Sequence, residues 1–217
     1  MAGSTGRFIT LEGGEGAGKT TQSALLTQAL IERDLPVLRT REPGGSPGAE
    51  LLRGILLDGG VDWAAPAETL LHFAARVEHV AKTIRPALDA DTWVICDRFF
   101  DSTMAYQGYG QGADRGFITG LTRLLGLAPD LTIVLDVSET VAAERMRRRG
   151  NPADRYERLD EAFHARVREG FRAIATAEPA RCVLLDASGD VATVHTALMT
   201  VVWRWFRPAQ GSPRIAG

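Results

Sequence analysis

A chain of 217 residues, 45% hydrophobic with mean hydropathy −0.07, has the length of one domain and enough apolar content to bury a core. No run approaches the roughly 20 apolar residues of a membrane span, and a net charge of −2 gives no electrostatic basis for nucleic-acid binding. The opening residues show no signal-peptide core, and neither Cys96 nor Cys182 has the near neighbours of a zinc site. The expectation is a cytoplasmic protein with reduced, buried thiols and with no membrane or nucleic-acid partner.

In chain order, five short apolar runs read as strands covered on both faces: 8–11, 36–40, 93–96, 131–137 and 182–186. Helical periodicity predicts helices at 18–33, 66–88 (with Pro86 kinking or shortening the last turns), 102–109, 115–125, 138–149, 157–177 and 191–206. On the long 66–88 helix, Leu70, Ala74, Val77, Ala81 and Ile84 form the expected core stripe. Alternating strands and helices predict a doubly wound parallel α/β sheet, which binds ligands beyond the carboxyl ends of its strands. Residues 150–154 break two helices with arginines on both sides, as a phosphate-covering lid at about 146–157 requires. The Pro- and Gly-rich tail at 208–217 is expected to be disordered, leaving one domain at 1–207.

The segment Gly13-Gly14-Glu15-Gly16-Ala17-Gly18-Lys19-Thr20, followed by Thr21, fits G-x-x-x-x-G-K-[ST] between a strand and a helix. Its glycines let backbone N–H groups converge on an anion at a helix N-terminus. Lys19 can reach the terminal phosphates of a nucleoside triphosphate, and the Thr20 hydroxyl can ligate Mg²⁺. Asp97-Arg98 follows the third strand, placing an acid for the metal and a guanidinium for a phosphate at the same sheet edge. Glu42-Pro43-Gly44-Gly45 forms a turn at that edge, with Arg53 in the helix that follows. Phe73 and Arg76 share a helical face and offer a ring and a cation to a nucleobase, while Thr103 and Gln107 share another face, beside Tyr106.

These stretches, above all residues 8–21, 40–45, 73–79 and 97–108, resemble bacterial thymidylate kinases over residues 8 to about 206. The resemblance implies a five-stranded sheet of order 2-3-1-4-5, of P-loop NTPase type with a short lid, and phosphoryl transfer from ATP to dTMP. It implies ATP at residues 13–21 and Mg²⁺ at Thr20 and Asp97. It places dTMP at Glu42, Arg53, Phe73, Arg76, Arg98, Thr103, Tyr106 and Gln107, in a homodimer. Lys19, Arg98, Glu12 and the lid residues Arg149 and Arg155 would be catalytic. Some members of the family carry an arginine inside the loop where this chain has Gly16, which assigns the missing cation to the lid. Other readings are a different nucleoside monophosphate or deoxynucleoside kinase, and a noncatalytic nucleotide-sensing module. The paired Arg53 and Arg98 favour an acceptor that already carries a phosphate.

Overall fold

A computed structural model describes residues 6–58, 60–149 and 155–206, with the side chain of Arg149 outside this set. The lid turn at 150–154 and the tail at 208–217 lie outside the described residues. Five parallel strands, β1 (Phe8–Glu12), β2 (Val37–Arg41), β3 (Trp93–Asp97), β4 (Leu131–Asp136) and β5 (Cys182–Asp186), form one sheet of order β2-β3-β1-β4-β5. Residue by residue, β1 runs beside β3 with Leu11 opposite Asp97, and beside β4 with Glu12 opposite Val134. Glu12, Asp97 and Asp136 therefore end their strands at one edge. Cys96 and Cys182 stand three sheet positions apart, roughly 14 Å at the usual strand spacing, and both are free and buried.

Both faces of the sheet are covered. On one, α1 (Lys19–Ile31) and α9 (Val191–Trp205) bring Leu26, Leu30, Val194, Leu198 and Val202 against Ile9, Leu11, Ile95 and Ile133. On the other, Phe8, Val94 and Cys96 pack with Phe73, Val80, Ile84, Phe99 and Ile118. The inner strands are apolar on both faces because each must match a helix layer. The remaining helices are α2 (Pro47–Leu57), α3 (Ala65–His79), α4 (Arg85–Asp89), α5 (Phe100–Thr103), α6 (Arg115–Leu125), α7 (Glu139–Arg149) and α8 (Glu161–Ala177).

The predicted long helix is present and continues to Asp89. α3 runs into α4 through a π-helical turn at Val80–Ile84, where the Arg85 N–H reaches back five residues to the Val80 carbonyl. The wide turn accommodates the Pro86 ring and its missing donor. The expected core stripe is a correction. Leu70 is 49% and Val77 53% exposed, Ala74 and Ala81 are also exposed, and only Ile84 is buried. The opposite face, with Glu68, His72, Phe73, Arg76 and His79, is the buried one. A periodic apolar stripe marks which residues share a face, and here the polar face has the better partners inside.

Two further boundaries differ from expectation. The helix predicted at 102–109 is α5 followed by a π-helical segment, Met104–Gly110, against which α8 packs so closely that a Cβ on Gly170 would lie 2.8 Å from the Tyr109 ring. α8 starts at Glu161 rather than 157, because the Asp160 carboxylate caps it by accepting from the Phe163 N–H at 2.7 Å. Residues 155–158 form a turn outside the helix.

Candidate active site

The carboxyl edge of the sheet opens into a cavity of about 1020 Å³. One end is walled by the loop at 15–20. Gly16 has φ +70°, and a Cβ there would stand 2.5 Å from the Ala142 carbonyl oxygen on α7, so the loop and the lid-bearing helix touch backbone to backbone. Lys19 donates to the Gly13 and Gly14 carbonyls at 3.1 and 2.7 Å. Burial, helped by the nearby Arg98 charge, pushes its ammonium down to about 8. The Thr20 hydroxyl donates to Asp97 Oδ2 at 2.6 Å. That pair is a hard, all-oxygen donor set at the cavity wall, and two protein oxygens are the usual share for Mg²⁺ beside phosphates. Beyond the loop, Val141 and Arg145 of α7 face Ser188–Val191, and Arg145 donates to the Ala187 and Gly189 carbonyls at 2.9 and 2.8 Å.

The other end is built from side chains. Arg98, at φ +72°, is held on every side. It donates to the Gly13 carbonyl (3.0 Å), Ser102 Oγ (3.1 Å), Glu15 Oε1 (2.5 Å) and the Tyr106 hydroxyl (2.9 Å). Tyr106 in turn donates to Glu15 at 2.8 Å. Arg53 donates to the Pro43 carbonyl at 2.8 Å and lines the cavity beside it. Glu12 is fully buried below, accepting from the Phe99 N–H at 2.7 Å and sharing a hydrogen bond with Ser102 Oγ at 2.6 Å. It supports the segment that carries Arg98 and does not itself line the cavity.

Arg76 is 2% exposed. Its Nε donates to Glu42 Oε2 at 2.7 Å and its Nη2 to the Phe99 carbonyl and Thr103 Oγ1, both at 3.1 Å. Glu42 also faces His79 Nδ1 at 3.0 Å. Arg76 Nη1 is buried without a hydrogen-bond partner in a residue that lines the cavity. Phe73 lies behind this guanidinium, 4.7 Å from ring centroid to Cζ and 5% exposed, and is not part of the lining. His72 and Phe99 are. Burial and the charges of Arg76, Arg155 and Arg98 push His72 down to about 3, so its ring is neutral. Gln107 donates its amide to Glu68 Oε1 at 2.8 Å, which leaves the amide oxygen for the cavity side.

The structure thus brings together Glu15, Lys19, Thr20, Glu42, Arg53, Arg76, Asp97, Arg98, Thr103, Tyr106 and Gln107 around one space, with Phe73 and Glu12 behind its wall. Of the lid arginines, Arg145 and Arg148 line the cavity, and Arg148 is ion-paired with Glu144. Arg155 lies 2.6 Å from buried Glu68 and is not part of the lining. Sequence reasoning missed Glu68, Tyr156 and the wall positions of His72 and Arg145. A signal was available for two of these: Glu68, His72 and Arg76 recur at intervals of four on one helical face.

The sheet order and the phosphate loop define a P-loop NTPase fold, and a second cationic half facing that loop defines a phosphotransferase. Comparison with known proteins narrows this. The thymidylate kinase family model matches residues 11–198. A thymidylate kinase of Gluconobacter oxydans is 51% identical, covering 93% of this chain and 96% of its own. One of Rhizorhabdus wittichii is also 51% identical, covering 89% and 95%. The crystal structure of thymidylate kinase from Ehrlichia chaffeensis superposes with a TM-score of 0.74 at 38% identity, covering 91% of this chain and 98% of that one. The chain belongs to the thymidylate kinase family.

Proposed function

We propose that this chain transfers the γ-phosphoryl group of ATP to dTMP, giving dTDP and ADP for dTTP synthesis, with ATP on the loop side of the cavity and dTMP on the side-chain side. The observation that carries the acceptor assignment is Arg76 Nη1, a buried cationic donor without a partner at the cavity wall. An unsatisfied donor of this kind costs about 1–3 kcal/mol unless a ligand acceptor completes it. The O4 of thymine is such an acceptor. The Gln107 amide oxygen beside it suits the N3–H, so the pair reads a donor–acceptor pattern that cytosine reverses.

The acceptor phosphate is already an anion at neutral pH, so the reaction needs position and charge neutralisation more than a general base. Arg98 and Arg53 hold that phosphate, and the buried contacts of Arg98 fix it before substrate arrives. Lys19 and the loop N–H groups hold the β- and γ-phosphates. Mg²⁺, held by Thr20 and Asp97, would neutralise charge on those phosphates when bound. Glu12 positions the Arg98 segment through Ser102 and Phe99. Tyr106 crowds the sugar edge, where a 2′-hydroxyl would sit. Because Gly16 supplies no cation, Arg149 or Arg155 completes the transition state when the lid at about 146–157 closes.

The exposed apolar stripe of Leu70, Ala74 and Val77 on α3 and Ala81 in the π-helical turn, with Leu51 and Ile55 exposed on neighbouring α2, supports a homodimer formed through this face. Among the described residues no helix is long and apolar enough to cross a membrane, and the free buried thiols suit a cytoplasmic location. A coupled assay with ATP and, in turn, dTMP, dUMP, dCMP, AMP and thymidine tests the assignment. The expected result is turnover highest with dTMP and absent with thymidine; equal or greater turnover with AMP or dCMP overturns it.

A further inference from the structure

Glu68 has been given no part in binding either substrate, yet side chains from two other segments converge on its carboxylate. It is 0% exposed on α3. Its Oε1 accepts from Gln107 Nε2, Gln111 Nε2 and the Tyr156 hydroxyl, each at 2.8 Å. Arg155 Nη1 stands 2.6 Å from Oε2, close enough for an ion pair but not aligned as a hydrogen bond. His72 Nε2 meets the same Tyr156 hydroxyl at 2.9 Å. A buried carboxylate needs a counter-charge and donors. The division of those donors is informative. Gln107 lines the acceptor end of the cavity, whereas Arg155 and Tyr156 (the latter also in the cavity wall) belong to the turn that precedes α8.

We propose that Glu68 is a positioning residue that couples recognition of the acceptor base to the position of the turn at 155–158, by orienting the Gln107 amide and anchoring Arg155 and Tyr156 with one carboxylate. The inference rests on the acceptor reading above.

The first half follows from hydrogen-bond inventory. A carboxylate only accepts, so Gln107 must turn its NH₂ to Glu68 and its oxygen to the cavity. That orientation matches a pyrimidine with N3–H, as in thymine, and opposes one whose N3 is an acceptor, as in cytosine. If residue 68 carried an amide, it could pair with either face of Gln107, and the flip that admits cytosine would lose its penalty.

The second half follows from the geometry of the pair. Arg155 is held by charge without a well-aligned hydrogen bond, so a phosphate anion can draw it away at little loss. Glu68 then keeps three neutral donors, and Tyr156 keeps the turn at 155–158 in place. A dTMP base seated on Gln107 and a turn held through Tyr156 thus bear on the same oxygen, Oε1.

The test is Glu68→Gln in the full chain, with steady-state kinetics on dTMP and dCMP, ATP KM and thermal unfolding. The expected result is a fall of about tenfold or more in the ratio of kcat/KM for dTMP over dCMP. A drop of about 10–100-fold in kcat for dTMP should accompany it, with ATP KM within about threefold of wild type. A purely structural role would move the melting temperature and leave the dTMP/dCMP ratio intact. Wild-type selectivity in a folded Glu68→Gln protein overturns the proposal, and so does loss of kcat without loss of selectivity, or the reverse. A wild-type enzyme that does not distinguish dTMP from dCMP defeats the acceptor reading itself, a different result. Should Glu68→Gln not fold, Tyr156→Phe decides: lowered kcat with an unchanged dTMP/dCMP ratio supports the anchor, and unchanged kcat overturns it.

Discussion

The two ends of the cavity are built on opposite plans. The loop end centres on one contiguous segment, 13–20, which offers backbone N–H groups to an anion and whose conformation rests on glycine. The acceptor end draws on the turn after β2, on α2, α3, Arg98 after β3, α5 and the π-helical segment, with Glu15 reaching over from the loop, and consists of charged and polar side chains that fix one another: Glu42 with Arg76 and His79, Glu15 with Arg98 and Tyr106, Glu68 with Gln107. A phosphate chain is the same in every nucleotide, so a short backbone cradle suffices for it. A particular base needs donors and acceptors at particular places, and in a buried pocket each must be held by a further partner.

The largest expected effect lies where the two ends meet. Replacing Arg149 or Arg155 by Ala should lower kcat by about 10³–10⁵-fold for whichever residue reaches the transferring phosphate, with little change in either substrate KM. Near-wild-type kcat in both single mutants and the double mutant would sink the lid cation. It would also make the two ends sufficient without the lid.

Arg76→Ala should separate the ends cleanly. It removes a charge-assisted base contact worth about 1.5–3 kcal/mol, so dTMP KM should rise about 10–100-fold while ATP affinity stays level. It also strands Glu42 without its cation, so a lower melting temperature is expected. Equal loss for both nucleotides, read by titration calorimetry, would mean that the helix does not wall the acceptor site alone.

Gly16→Ala probes the triphosphate end with a single methyl group. The left-handed φ and the Ala142 carbonyl oxygen 2.5 Å from the new Cβ should together cost about 1–3 kcal/mol of ATP binding or stability, with dTMP affinity unchanged. A fully active, equally stable variant would show that α7 does not bear on the loop.

The last effect is spread over pH and concerns what lies beneath both ends. Burial, and then the charge of nearby Asp101, push the Glu12 carboxyl up to about 8 from its ordinary 4.5. Between those pH values the folded chain keeps a proton that the unfolded chain has released. Stability from this group should therefore fall by about 1.4 kcal/mol per pH unit as pH rises through that window, and level off above it. Glu12→Gln should flatten that slope in denaturant titrations at pH 5.5 and 7.5; an unchanged slope would assign it to other groups.

The strands, the phosphate loop and the Asp97-Arg98 pair were legible in the sequence, because each is a local pattern with one physical reading. Three of the five strand runs needed a one-residue adjustment at one end, 36–40 shifted by one residue at both ends, and 182–186 needed none. The orientation of α3 was not legible. Its apolar stripe at 70, 74, 77 and 81 satisfies every local rule for a core face, and its polar row at 68, 72 and 76 satisfies every rule for a solvated one. The reversal arises because Glu42, Thr103, Gln107 and Tyr156, brought from elsewhere in the chain, supply the hydrogen bonds that let the polar row be buried.

The sequence by itself determined the class of fold, the glycine-rich loop between β1 and α1, and the residue types available to an acceptor. The tertiary structure alone decided which of those residues reach the cavity. It put Phe73 behind Arg76 and His72 in the wall, left Arg76 Nη1 without a partner, and turned Arg155 to Glu68. The physical reason is range. Backbone conformation and apolar periodicity are set within a few residues, whereas the burial of a charge depends on partners 23 to 88 positions away, as Arg76–Phe99 and Tyr156–Glu68 do.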